Sequence, residues 1–177
     1  MIVTRKWLWL ILLALFILEG TLLQWIIPEV WQSKVYVAPH FILVIVLYIG
    51  LYVDRHTALV YGLVFGLLQD FLYYSPMLGP ISFAMGLTGY LAGLTHRRLF
   101  SNIAVSMVVI GLGNLFFEWI LYGLYRLFQV THMDLQWAFF HQMLPSMLIN
   151  LLFALIVYVP VRKLFESMQN ASPASDE

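Results

Sequence analysis

Three carboxylic acids, Glu19, Asp70 and Glu118, stand in stretches that are otherwise almost wholly apolar, and Gln24, Asn114, His141 and Asn150 share such surroundings. Groups of this kind can do one of three things. Two carboxyls can exchange protons in acid–base catalysis. Convergent polar side chains can line a cavity that binds a ligand. Alternatively each group is satisfied separately, by a backbone or a side chain on a neighbouring element. Catalysis lacks its usual companions here. There is no cysteine, and the five histidines, His40, His56, His96, His132 and His141, are scattered without metal-ligand spacing. No Walker-type phosphate loop appears, since the glycines lie inside apolar runs. The expectation is a protein that is not an enzyme and needs no cofactor and no metal.

What must position these groups is set by composition. Of 177 residues, 62% are hydrophobic and 10% charged, against about 25% charged in soluble proteins. A water-soluble domain of this size has too little interior for that much apolar side chain, so the class is an integral membrane protein. A formal net charge of +0 gives no general basis for nucleic-acid binding.

Six hydrophobic stretches follow. Trp7–Ile27 comes after Arg5 and Lys6 and runs for about 20 residues, the length that spans a bilayer. No small-residue cleavage site follows it, so it reads as a retained first span. Pro28 and Glu29 stop it, with Trp25 and Trp31 at headgroup level. The second span is Val37–Val53, with Pro39 in its first turn, where the missing N–H is harmless. The turn Asp54–Arg55–His56 leads to the third, which starts at Thr57. The fourth, Ile81–Leu94, is short for a crossing and ends at His96–Arg97–Arg98. The fifth, Ile103–Leu127, carries Gly111, Asn114, Glu118, Tyr122 and Arg126 along one stripe. The sixth, Phe139–Val161, has Pro145 in its first turn and Asn150 near its middle. The predicted architecture is therefore all-α and polytopic. Residues 1–166 form a six-helix transmembrane domain, and 167–177 a disordered cytoplasmic tail.

Basic residues set the orientation. With six crossings, Arg5, Lys6, Arg55, Arg97, Arg98, Arg162 and Lys163 share one side and only Lys34 and Arg126 the other, which puts both termini in the cytoplasm. Glu19, Asp70 and Glu118 then fall at similar depth in the outer half of the membrane. They line one outward-facing cavity, or each is satisfied alone. In the second case Glu118 meets Arg126 through a water or pairs with His141, and Glu19 bonds to a neighbouring span.

The third span holds the most distinctive spacing. Gly62 and Gly66 fall on one helix face, with Asp70 one turn further along it and Gly79–Pro80 as a strong stop. Small residues four apart let a neighbouring helix approach closely in lipid, and Gly89 and Gly93 on the fourth span make it the expected partner. Asp70 is then placed to bond the backbone N–H groups near Gly79.

The series Gly62, Gly66, Leu67–Leu68, Asp70, Gly79, with the length and six-span layout, resembles the MreD family of bacterial rod-shape-determining membrane proteins. The resemblance implies a non-enzymatic subunit of the elongation machinery in the cell membrane. It would scaffold lateral peptidoglycan synthesis through helix contacts with an MreC-like bitopic protein, and through it with MreB, RodA and a class B penicillin-binding protein. That family is also similar in fold to the six-helix substrate-binding subunits of energy-coupling-factor transporters, which implies an alternative role as an outward-facing small-molecule-binding subunit. The resemblance carries over to Asp70 alone among the polar positions. Glu19, Asn114 and Glu118 come from the residue reading.

Overall fold

The computed structural model describes residues 2–26, 39–72, 75–95 and 103–170, and every regular element among them is helical. In chain order these are α1 (Ile2–Ile26), α2 (Phe41–Tyr52), α3 (Arg55–Leu72), α4 (Pro80–Gly93), α5 (Ile103–Leu127), the single turn α6 (Leu135–Ala138), a π-helical turn (Phe139–Met143) and α7 (Leu144–Asn170). Ile103–Leu127 and Leu135–Lys163 are long and apolar enough to cross a membrane, whereas Trp9–Thr21 and Phe41–Tyr52 are apolar but shorter. The side chains of Trp7, Gln24 and Trp25, and residues Pro28, Glu29, Trp31, Lys34, Val37, His96, Arg97 and Arg98, lie outside the described residues.

The axis of the bundle is α2. Its sequence, FILVIVLYIGLY, is hydrophobic all round, the mark of a helix that meets protein on every side, and each of its 12 residues is buried. It touches α1, α3, α4, α5 and α7. The helix starts at Phe41 and not at Val37 as the hydropathy suggests, because Pro39 and His40 are non-helical. At 1.5 Å per residue it is about 18 Å long, well short of a hydrocarbon layer about 30 Å thick. Its first turn therefore opens inside the protein, where backbone N–H groups need partners that water cannot supply.

The closest helix pair is α3 with α4, which run antiparallel in a register set by small residues. A Cβ on Gly66 would stand 2.5 Å from Ser82 Cα, and one on Gly62 2.8 Å from Gly86 Cα. The expected pairing of Gly62 and Gly66 with Gly89 and Gly93 is thus corrected by one to two turns. Gly93 meets Arg55, where a Cβ would stand 2.5 Å from that residue's Cα, and Gly89 meets Val46 of α2 and Ala58 of α3. Gly50 of α2 abuts Gly89 as well, at 2.7 Å from a would-be Cβ to the carbonyl oxygen. Three backbones converge there.

The last membrane helix starts earlier than its apolar run. Asp134 caps it, its carboxylate accepting the Gln136 N–H at 3.1 Å. Pro145 consequently lies in the interior of the helix and not in its first turn. The π turn Phe139–Met143 ends two residues before it and includes His141, whose carbonyl is the one four residues back that a proline ring clashes with. At the other end the backbone stays helical to Asn170, beyond the tail start expected at Ser167, while 171–177 lie outside the described residues. Outward faces are apolar, with Val108, Leu112, Phe116 and Trp119 on α5 and Leu148, Leu152, Leu155, Ile156 and Val159 on α7 all exposed.

Candidate functional site

Glu19, Gln69, Asp70, Asn114, Glu118 and Asn150 are each only 1–3% exposed. All but Asn114 gather at two helix starts, and each start is held by a carboxylate from the preceding long helix.

At the start of α4 the carboxylate is Asp70. Its Oδ2 accepts the N–H of Gly79 and of Ser82, both at 3.0 Å, and Oδ1 takes that of Ile81 at 3.4 Å. Gly79 adopts a left-handed conformation (φ 112°) and Pro80 occupies the first helical position, so the turn is closed by residue type as well. Ser82 Oγ donates back to the Leu63 carbonyl at 2.8 Å, locking α4 onto α3. An anion at a helix N-terminus bonds orphan donors and opposes the positive end of the helix dipole, with several charge-assisted hydrogen bonds sharing one carboxylate.

At the start of α2 the carboxylate is Glu19 from α1. Its Oε2 accepts the Ile42 N–H at 3.2 Å, and Oε1 accepts from Gln69 Nε2 at 2.8 Å. Two residues earlier the His40 N–H is taken by Asn150 Oδ1 of α7 at 2.8 Å. The His40 imidazole turns toward α5, with Nε2 3.5 Å from Glu118 Oε1, an ion-pair separation longer than a hydrogen bond. The ring meets Phe117 edge-on at 4.9 Å between centroids. Asn114, one turn before Glu118, donates to the Ile110 carbonyl at 2.9 Å.

The structure therefore brings Glu19 and Glu118 together around His40 and leaves Asp70 at a separate place. The single three-acid cavity is replaced by two stations, because Gln69 and Asp70, adjacent on α3, point to different neighbours. Glu118 meets neither expected partner. Arg126 bonds the Met133 carbonyl at 2.9 Å and Tyr122 Oη at 3.3 Å, and His141 Nδ1 lies 3.1 Å from the Trp137 carbonyl. Sequence reasoning missed His40, read only as one of five scattered histidines, and Gln69, hidden beside Asp70. A signal existed for His40: with Pro39 it interrupts an apolar run at the point where helix can begin.

On the cytoplasm-facing turn expected between α2 and α3, Asp54 caps α3. Its Oδ2 accepts the N–H of His56 at 3.0 Å and of Thr57 at 3.4 Å. What burial it has works against its charge, but those N–H groups hold the carboxyl below the usual carboxylate range.

Among the described residues no group of three His, Cys, Asp or Glu is arranged to hold a metal. Of the buried carboxylates, Glu19 and Asp70 are occupied by helix starts and Glu118 faces His40. These are the features of an α-helical membrane protein whose polar groups hold its helices in register. Comparison with known proteins specifies the kind. The family described as rod shape-determining protein MreD matches residues 4–168, and this chain belongs to it. Rod shape-determining protein MreD of Bacillus subtilis (strain 168) is 27% identical over 142 residues, covering 80% of this chain and 81% of that one. No solved structure matches the chain.

Proposed function

We propose that this protein is a non-enzymatic integral-membrane subunit of the bacterial elongation machinery, with six crossings and both termini in the cytoplasm. It offers apolar helix faces to the membrane helix of an MreC-like bitopic partner and, through that partner, joins MreB, RodA and a class B penicillin-binding protein in lateral wall synthesis. The observation that carries this reading is membership of a rod-shape family along nearly the whole chain. Local geometry supports it, since Asp70 and Glu19 serve as helix caps while the apolar faces of α5 and α7 look outward. The distribution of Lys and Arg supports the orientation.

A second reading, a small-molecule-binding subunit, has one observation in its favour: polar groups from α1, α3, α5 and α7 converge at the start of α2. A pull-down in mild detergent from the native membrane separates the two. Recovery of a bitopic MreC-like protein supports the scaffold. Recovery of energy-coupling ATPase subunits without it refutes the scaffold.

A further inference from the structure

Glu118 differs from the other two buried acids. Glu19 and Asp70 accept N–H groups at both carboxylate oxygens. Glu118 Oε1, by contrast, is shut off from solvent and receives no hydrogen bond. A buried acceptor in that state is costly unless a positive charge or a proton meets it. What faces it is the imidazole of His40, with Nε2 3.5 Å away. The two side chains come from different elements, His40 from the residue before α2 and Glu118 from α5, so the interaction acts across the bundle.

His40 is anchored by its backbone, whose N–H goes to Asn150 at 2.8 Å, and its ring is steadied edge-on by Phe117 at 4.9 Å. The histidine side chain keeps 14% of its surface exposed against 3% for Glu118, so protons reach the pair through the ring. Few other charges face it. On α1, Glu19 stands close enough for its charge to act on the ring. From α3 comes the uncharged Gln69, reached through Glu19, while Asp70 is turned to α4. On α7 the facing group is Asn150, which carries no charge. The one ionisable side chain of α4 is Tyr90, which lies against His56 instead. Tyr125, two turns along α5 from Glu118, bonds to Ser75 at 3.1 Å.

A protonated imidazole offers Glu118 both an N–H and a positive charge, and it attracts Glu19 as well. A neutral one leaves buried carboxyls without a counter-charge, and stranding one member of a buried pair is strongly destabilising. Histidine is also the side chain whose proton is exchanged near neutral pH.

We propose that His40 and Glu118 form a proton-operated latch. With a proton on the pair the start of α2 is held against α5, and loss of that proton releases the contact. In the orientation proposed above the proton comes from the outer side, so exterior pH sets how firmly α5 is held. The same helix carries Phe116 and Trp119 on its exposed face. The side of entry rests on that orientation, whereas the latch does not.

The test is thermal unfolding of the full chain in mild detergent at constant ionic strength, from about pH 5.5 to about pH 9, a window around the histidine range. Detergent removes sidedness, so failure here speaks against the latch and leaves orientation and scaffold untouched. The wild-type midpoint should fall by about 2–4 °C as pH rises. His40→Gln and Glu118→Gln, uncharged at every pH, flatten that fall, while His132→Gln, at an exposed position, keeps it. Should either latch variant fail to fold, wild-type protein carrying 13C-labelled histidine decides by NMR. The ring in contact with Phe117 is expected to titrate apart from those of exposed His56 and His132. A flat wild-type profile, a slope that survives both latch variants, a slope that disappears only in Glu19→Gln, or a His40 ring that titrates with the exposed ones would each overturn the latch.

Discussion

The carboxylate of Asp70 on α3 holds the N–H of Ser82 on α4 at 3.0 Å, while one helical turn back Gly66 lets the same Ser82 come within 2.5 Å of where a Cβ would be. Close approach and charge meet on one residue. Glu19 of α1 repeats the arrangement at Ile42 of α2, at 3.2 Å. Both short helices thus start inside the bundle on a carboxylate borrowed from a longer neighbour.

Asp70→Asn keeps the shape but replaces a two-oxygen anion with a single amide oxygen. Hydrogen bonds to a charged group contribute about 1.5–3 kcal/mol, and a loss of that size is expected in detergent unfolding. In a strain lacking the native copy, cells should lose rod shape while the variant remains in the membrane. Normal rods at normal protein level would remove Asp70 from any functional role.

Gly66→Leu forces backbones apart at the α3–α4 crossing, because the obstructing atoms belong to Ser82 main chain and cannot rotate away. Overpacking of this kind costs about 1–3 kcal/mol or more, so folded yield should drop sharply. The contrast is Gly123→Ala, where a Cβ meets nothing within 4 Å. That change should be neutral or stabilise by up to about 1 kcal/mol through helix propensity. Equal yields for the two variants would contradict the packing.

Glu19 and Gln69 should show energetic coupling. Glu19→Leu strands the Ile42 N–H and the Gln69 amide, at about 1–3 kcal/mol for unsatisfied buried groups. Gln69→Leu alone should cost less, and the double variant less than the sum, with an interaction term of about 0.5–3 kcal/mol. Strict additivity in the cycle would show that the 2.8 Å bond contributes nothing.

Asp54 gives a pH signature. Its folded-state pKa lies below the unfolded value, so the cap's contribution is present at neutral pH and is lost as pH falls through the carboxylate range. Asp54→Ala should cost about 1 kcal/mol at neutral pH, a typical N-cap value. Asp54→Asn should retain most of the cap yet flatten the acid dependence, as followed by thermal unfolding from neutral to acidic pH. An unchanged slope for Asp54→Asn would assign that dependence to other groups.

Orientation is checked by single cysteines at His56 and His132, both exposed. In sealed right-side-out vesicles an impermeant maleimide should label the position at 132 and spare the one at 56 until the membrane is opened. Labelling of both from outside would sink the six-crossing arrangement.

Much was legible from residue order alone. The apolar runs located α3, α4 and α5 closely and the end of α1, which begins at Ile2 and not at Trp7, since hydropathy and helix stops such as Gly79–Pro80 act through local physics. The Gly62–Gly66–Asp70 face was readable because 3.6-residue periodicity fixes which side chains share a face along one helix, and the same rule aligned Asn114 with Glu118. Periodicity says nothing about azimuth between helices. That Glu118 faces His40, that Gln69 reaches Glu19 while adjacent Asp70 turns to α4, and that Gly66 meets Ser82 and not Gly89 were all decided by tertiary packing. The start of α2 is the clearest case. Its hydropathy continues back to Val37, but Pro39 and His40 are non-helical, and the helix can open at Phe41 only because Glu19 and Asn150, residues far away in sequence, supply the acceptors its buried N–H groups require.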